Sequence, residues 1–421
     1  MSETSFDDLD AWLDYVARQN WQTAGMGLSR MQSMVERLHL QRPGRHVITV
    51  AGTNGKGTTC LALESLILKS GYRVGTTLSP HIERFNERIR VGGNELSDVA
   101  ICQAFAAVEK ARGDLTLTYF EYSTLAALWT FAQSDLDFAI LEIGLGGRLD
   151  AFNVIDAHTA VITSIGYDHQ ELLGPTLNDI GAEKAGIFRA GQKVTLGDKM
   201  PDSVAACARS LDLEPLALGE DFRTVVDATS RTWQFRGPQG LQIDSIPLGQ
   251  CAPGNLAIAW MAARAAGVFA TQKQASAEDF LKGVSGELKI PGRMQTRIWQ
   301  DRIVVRDVAH NPHGIAFLCR ELADRGLVPK LLCCAMLTGK DHRGVYEALS
   351  CHPKAQWLLF DSQGDRAMTA QALRESIGAA GLETLPISAL QQRWLSATEP
   401  GDVILVFGSF SAVEQSHRLV D

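Results

Sequence analysis

The eight cysteines of this 421-residue chain include no C-x-x-C pair, so the usual sequence sign of a structural zinc site or a redox motif is missing. A disulfide framework is not expected, and reduced thiols fit better. Cys333 and Cys334 adjoin in an apolar run and read as buried strand residues. No stretch of about 18 apolar residues occurs, so no membrane span is expected. The N-terminus, MSETSFDDLDAWLDY, has neither the basic start nor the apolar centre of a secretory signal, and a cytoplasmic protein is expected. A cationic surplus is missing too. The formal charge of −8 disfavours a general nucleic-acid or anionic-membrane binder. An acidic chain that binds polyanions must concentrate positive potential where they sit.

What is present is ordinary for a soluble enzyme: 45% hydrophobic and 21% charged residues, in a chain long enough for two domains. Short apolar runs alternate with longer helical patterns, which predicts an α/β fold with largely parallel sheets. The strand candidates are His46–Ala51, Arg73–Thr77, Phe138–Ile143 and Ala160–Ile165, then Ile303–Val308, Leu331–Met336, Trp357–Phe360 and Val403–Phe407. The polar stretch from Asp221 to Leu248 reads as extra strands or a hairpin. Gly286–Arg293 (GELKIPGR) breaks the pattern with Pro291 and Gly292, and a fresh strand–helix series begins near Ile298. The expected division is residues 1–288, a linker at 289–296, and 297–421.

The strongest local signal is Gly52-Thr53-Asn54-Gly55-Lys56-Gly57-Thr58, which follows the apolar run His46–Ala51 and precedes a helical pattern. Glycines let backbone N–H groups close around phosphate oxygens, and the helix N-terminus adds favourable potential. Lys56 supplies a full positive charge near the β/γ-phosphates, and a following hydroxyl can reach Mg²⁺. The loop departs from the general phosphate-loop pattern, with Val50 at the first glycine position and Gly57 in place of the hydroxyl.

Three further strand ends carry polar groups. The run Phe138–Ile143 includes Glu142 and leads into GLGGRLD; Arg73–Thr77 leads to Ser79-Pro80-His81; Ala160–Ile165 leads to Asp168-His169. Ligands gather at the carboxyl ends of strands in doubly wound sheets, and a carboxylate beside a phosphate loop suits Mg²⁺. Singly, each reads equally as a cap, turn or surface residue; together they suggest a convergent cluster.

These motifs occur in one order with Glu87-Arg88-Ile89, Thr118-Tyr119-Phe120-Glu121, Asp168-His169-x-x-x-Leu173-Gly174, Glu183-Lys184-Ala185-Gly186-Ile187, Asp307-Val-Ala-His310-Asn311-Pro312-His313 and Gly408-Ser409-Phe410. In that order, across nearly the whole length, the chain resembles the bacterial bifunctional dihydrofolate synthase/folylpolyglutamate synthase family of the Mur ligase superfamily. The resemblance implies a doubly wound, mainly parallel phosphate-loop domain carrying the pterin site, then a smaller Rossmann-like domain that adds to the ATP and glutamate sites. It implies that Thr53, Asn54, Gly55, Lys56, Gly57, Thr58, Asn255, Arg293 and Asp307 bind ATP, and that Ser79, Glu142 and His169 bind metal. Gly25, Met26, Gly27, Leu28, Tyr119, Phe120, Glu121, Tyr122, Leu149, Asp150, Ala151 and Ser409 match the substrate surface. Lys56, Lys184, Arg293 and His310 match catalytic positions. Lys184 matches a lysine that is carbamylated in some relatives, to N6-carboxylysine. The implied cofactors are ATP and two Mg²⁺ ions, with a monovalent cation as a further candidate. The implied partners are dihydropteroate or a reduced folate and L-glutamate, on a monomer. Where this family often reads R-L-D-A-T-N, Phe152 precedes Asn153 here, so the wall of the substrate site differs.

The expected chemistry is amide formation. A carboxylate does not condense with an amine at neutral pH, because its oxygen is a poor leaving group. Phosphoryl transfer from ATP makes an acyl phosphate, which the amine of glutamate opens; the protein supplies positioning and charge neutralisation. A ligase acting on a UDP-linked cell-wall precursor is the nearest alternative, disfavoured by Gly57 and by the lack of a UDP-binding N-terminal region. A phosphate-loop kinase or ATPase is another, and it leaves DVAHNPH unexplained.

Overall fold

The computed structural model describes residues 6, 8–18, 27–270, 274–364 and 366–420. Its first half is built on an eight-stranded sheet: β1 (His46–Ala51), β2 (Val74–Thr77), β3 (Ile89–Val91), β4 (Asn94–Glu95), β5 (Phe138–Glu142), β6 (Thr159–Ile162), β7 (Lys193–Leu196) and β8 (Leu216–Ala217). The spatial order is β4-β3-β2-β5-β1-β6-β7-β8. All pairs are parallel except the β2–β3–β4 edge. Every residue of β5 is buried, as a Val/Ile/Leu-rich strand covered on both faces must be.

One face packs against helices Leu9–Ala17, Ser29–Leu38, Asp98–Arg112 and Tyr119–Ala132 around Trp12, Phe105 and Phe131. The other packs against Lys56–Lys69 and Pro253–Ala265. A three-stranded antiparallel sheet backs that second layer: β9 (Arg223–Asp227), β10 (Thr232–Arg236) and β11 (Gln242–Pro247). It buries Trp233, Phe235, Ile243 and Ile246 and leaves alternate residues partly exposed, the period-two pattern of a sheet wetted on one side.

The second half is a six-stranded sheet of β12 (Gln295–Trp299), β13 (Arg302–Asp307), β14 (Pro329–Cys334), β15 (Gln356–Leu359), β16 (Leu382–Thr384) and β17 (Val403–Phe407), ordered β12-β13-β17-β14-β15-β16. Only β12 is antiparallel. Hydrophobic clusters cover both faces. The protein is thus a doubly wound, mainly parallel sheet followed by a smaller Rossmann-like α/β unit.

The eight strand candidates fall on eight of these strands; His46–Ala51 and Val403–Phe407 match to the residue, and the other six are shifted by one to three residues at one end or both. The 221–248 stretch forms the three-stranded sheet. The second series starts at Gln295, three residues ahead of Ile298. Strands β3, β4, β7, β8 and β16, at or next to the sheet edges, are two to four residues long, too short for periodicity to reveal. Among the described residues no helix is long and apolar enough to cross a membrane.

The topology fixes the site. The chain order reverses around β1, flanked by β5 and β6, which makes this the switch point of the sheet. The carboxyl ends of β2, β5, β1 and β6 therefore deliver Ser79, Glu142, residues 52–58 and residues 164–169 to one edge.

Candidate active site between the two sheets

β1 runs into the loop, and Gly55 ends it with φ +85 at the N-terminus of helix Lys56–Lys69. An L side chain is strained there, and a Cβ would also lie 2.9 Å from Asn255 Oδ1. Lys56 Nζ donates to the Gly52 carbonyl at 3.1 Å, and Lys184 Nζ donates to that same oxygen at 3.1 Å. Lys184 lies in the last turn of helix Leu177–Ala185, and it is buried. Burial and the charge of Lys56 bring its ammonium down to about 7. Two side-chain nitrogens thus converge on one carbonyl of the loop. Thr53 Oγ1 exchanges hydrogen bonds with the backbone of Gly166, and Thr58 is buried against the wider cavity described below.

Glu142 is buried at the end of β5 and accepts from the Ser79 N–H at 2.8 Å. Burial pushes its carboxyl up to about 7, against the pull of Lys56. A Cβ on Gly57 would stand 3.6 Å from Glu142 Oε2, so the glycine that replaces the usual hydroxyl leaves this carboxylate uncovered. His169 has φ +52. Burial, then Lys340, lowers its imidazole to about 4, which leaves the ring uncharged at neutral pH, with Lys340 Nζ 3.4 Å from Nε2. Ser79, Glu142 and His169 line one cavity of about 130 Å³ with Lys56, Lys184 and His310. A buried carboxylate short of countercharge, a hydroxyl and a neutral imidazole fit a divalent cation, the nitrogen being the less usual donor for Mg²⁺.

The second sheet reaches over this cavity through Asp168. Its carboxylate receives Lys340 Nζ at 2.7 Å, Asn311 Nδ2 at 3.0 Å and His310 Nε2 at 3.4 Å. Although burial opposes it, His310 and Lys340 hold Asp168 well below the usual carboxylate range. His310 Nδ1–H donates to the Val308 carbonyl at 2.8 Å, which aims Nε2 at the cleft. Asn54 of the phosphate loop donates to Asn311 Oδ1 at 3.1 Å and meets His313 Nδ1 at 3.0 Å. Lys340 is 6% exposed. Its removal breaks a buried ion pair, an effect of roughly 3 kcal/mol. Lys340→Ala is therefore expected to lower folding stability by roughly 3 kcal/mol; a denaturant melt beside the wild type checks this, and equal midpoints would refute it.

A wider cavity of about 620 Å³ adjoins the first. Of the residues expected to bind ATP, Asn54, Gly55, Thr58, Asn255, Arg293 and Asp307 line it, while Thr53, Lys56 and Gly57 line the small cavity; Asn54, Gly55 and Arg293 line both. Asp307 ends β13, accepts from the N–H groups of Met294 and Ala309 at 2.9 Å, and faces Arg293 Nη1 at 3.7 Å. Arg293 also lies 5.9 Å from the Phe410 ring centroid. Sequence reasoning missed Ile258, Ile290 and Phe317, which give the wide cavity its apolar wall; no spacing in the sequence announces them.

Of the substrate set, Gly25 and Met26 lie outside the described residues. Gly27 and Leu28 are half-buried just before helix Ser29–Leu38. Tyr119 and Phe120 are half-buried, Tyr119 with Arg88 5.7 Å from its ring and Phe120 edge-on to Phe152 at 5.9 Å. Glu121 is committed twice, to the capping box with Thr118 and to Arg30 at 2.7 Å. Tyr122 does not reach the cleft: it is fully buried beside Phe105, and its hydroxyl donates to Glu109. Leu149 is half-buried and Ala151 buried. Asp150 ties the turn together by accepting from the N–H groups of Gly144, Leu145 and Phe152. Ser409 Oγ donates to the Ala335 carbonyl at 2.8 Å and accepts from Ala412 N at 3.0 Å, so its hydroxyl is already engaged.

Comparison with known proteins matches residues 50–198 to the Mur ligase middle domain and 292–410 to the Mur ligase, glutamate ligase domain. The dihydrofolate synthase/folylpolyglutamate synthase of Escherichia coli (strain K12) is 39% identical over 98% of this chain and 96% of its own length. Escherichia coli FolC in complex with DHPP and ADP superposes with a TM-score of 0.88 at 36% identity, covering 98% of this chain and 97% of that one. A bifunctional folylpolyglutamate synthase/dihydrofolate synthase with Mn, AMPPNP and L-glutamate bound gives 0.88 at 34% identity, covering 99% and 100%.

Proposed function

We infer the reaction from one premise: this chain belongs to the dihydrofolate synthase/folylpolyglutamate synthase family of Mur ligases. It is an ATP-dependent acid–amino-acid ligase that forms ADP. It adds L-glutamate to dihydropteroate and to reduced folates. The observation that carries this reading is the cavity between the two sheets, where a phosphate loop, a buried carboxylate and groups from the second sheet meet.

ATP enters with its nucleoside in the wider cavity and its phosphates over residues 52–58. Lys56 and Arg293 offset the phosphate charge, and Arg293 spans both cavities. The carboxylate of the pterin substrate takes the γ-phosphoryl group and becomes an acyl phosphate. The amine of glutamate attacks that carbonyl carbon, phosphate leaves, and the amine proton passes to solvent or to a base. His310 lines the same cavity, its Nε2 3.4 Å from Asp168 Oδ2. Ser79, Glu142 and His169 hold divalent metal, which when bound supplies charge neutralisation on the phosphates. Tyr119 and Phe120 provide the aromatic surface for the pterin. Residues 1–288 would carry the phosphate loop and the pterin site, 289–296 the link, and 297–421 a lobe that contributes to the ATP and glutamate sites. We take the working unit to be a cytoplasmic monomer.

Phosphate release is expected only with ATP, Mg²⁺, glutamate and either dihydropteroate or tetrahydrofolate together. The measurement is run in parallel with UDP-linked acids. Release that ignores glutamate would turn the reading to a kinase or ATPase, and release only with the UDP-linked acids to a cell-wall ligase.

A further inference from the structure

The sequence shows no C-x-x-C motif, yet the fold assembles a sulfur–nitrogen cluster from distant positions. Cys319 lies on helix Pro312–Asp324, Cys351 ends the short helix Leu349–Cys351, and His352 follows it. The two Sγ atoms and a ring nitrogen of His352 all lie within 4.8 Å of one another. Cys319 and Cys351 are free thiols with their sulfurs 2.9 Å apart. Their other hydrogen-bond contacts are long ones to the Ala348 carbonyl, at 3.7 and 3.9 Å. His352 Nε2 is closed off from solvent and has no hydrogen-bond partner, so no donor or acceptor of the protein competes for it. None of the three lines the cavities of the catalytic cleft.

We propose that Cys319, Cys351 and His352 form a binding site for a thiophilic divalent cation of the Zn²⁺ class, separate from the catalytic metal site. Two thiolates and one imidazole are the donor set such an ion prefers, with the fourth tetrahedral position left to water. On binding, both thiols release their protons to solvent and each sulfur forms a bond to the ion. The sulfurs part by a little under about 1 Å to reach the spacing that Zn–S bonds of ~2.3 Å impose. Cys351 is exposed and Cys319 and His352 are half-buried, so the ion reaches the site without unfolding. The link has a mechanical consequence. It ties helix Pro312–Asp324, which begins beside Asn311 and His313, to the turn closing helix His342–Ala348, which begins just after Lys340. Both helices start at the catalytic cleft.

The test uses the full reduced chain in saturating Mg²⁺, with Co²⁺ as the spectroscopic probe and Zn²⁺ as its competitor. Sulfur-to-cobalt charge-transfer absorption is expected at one ion per chain, displaced by Zn²⁺. The Cys351→Ser and His352→Ala variants should each bind at least about tenfold more weakly. Zn²⁺ should raise the thermal midpoint of the wild type and not that of Cys351→Ser. Oxygen and nitrogen ligands of the catalytic site give no sulfur band, so metal held there is not mistaken for this site. Absence of the band, its persistence in Cys351→Ser, or a pair of sulfurs found only as a disulfide that excludes the metal overturns the proposal.

Discussion

Lys56→Ala is expected to lower glutamate-dependent ADP formation by about 10²–10³-fold, equivalent to ~3–4 kcal/mol of transition-state stabilisation. Its ammonium now rests on the Gly52 carbonyl at 3.1 Å and on Thr53 O at 3.5 Å, a weak tether that leaves it ready for a phosphate. Alanine is the best helix former and Lys56 is the first residue of its helix, so the fold should not suffer. The loss belongs mainly in kcat, because charge grows on the transferring group in the transition state. Initial rates across ATP concentration, beside a melting curve, check both points. Activity within tenfold of the wild type would remove Lys56 from the proposed machinery.

The second large effect concerns Lys184, and it runs in opposite directions for stability and activity. Lys184 is buried, with its ammonium lowered from 10.5 to about 7. Between those values the unfolded chain binds a proton that the folded chain does not, so wild-type stability rises with pH across that window. At pH 7 the burial costs ~4 kcal/mol. Lys184→Met should therefore unfold at higher denaturant concentration at pH 7, with the advantage closing as the pH nears 10. Turnover should fall about 100-fold for loss of the charged or carbamylated side chain. Near neutral pH much of the amine is unprotonated and can attack the carbon of CO₂, losing a proton to give the carbamate. Bicarbonate should accordingly raise wild-type activity and leave the variant unchanged. Equal stability curves for the two proteins at pH 7 would show that Lys184 carries no such burden.

What the sequence revealed follows from what is local in it. The phosphate loop was legible because strand, glycine turn and helix are contiguous. Glu142, Ser79 and His169 were legible as polar residues after apolar runs, and the sheet order brings them to one edge. The pairing of Lys340 with Asp168 was not, because the two stand 172 positions apart; the stretch Thr338-Gly339-Lys340-Asp341 fits a loop of the family but does not name its partner. Residues 119–122 could not all face one ligand, because successive side chains turn by about 100° around a helix. Tyr122 accordingly entered the core while Phe120 met Phe152.

Asn54 sits in the loop that grips the nucleotide, yet its amide is fastened to Asn311 and His313 of the opposite sheet. Swinging the halves apart removes two anchors from the phosphate cradle in one motion. Grip and jaw position are thus one mechanical variable, and a gaping molecule is poorly set to split ATP idly before both remaining reactants have arrived.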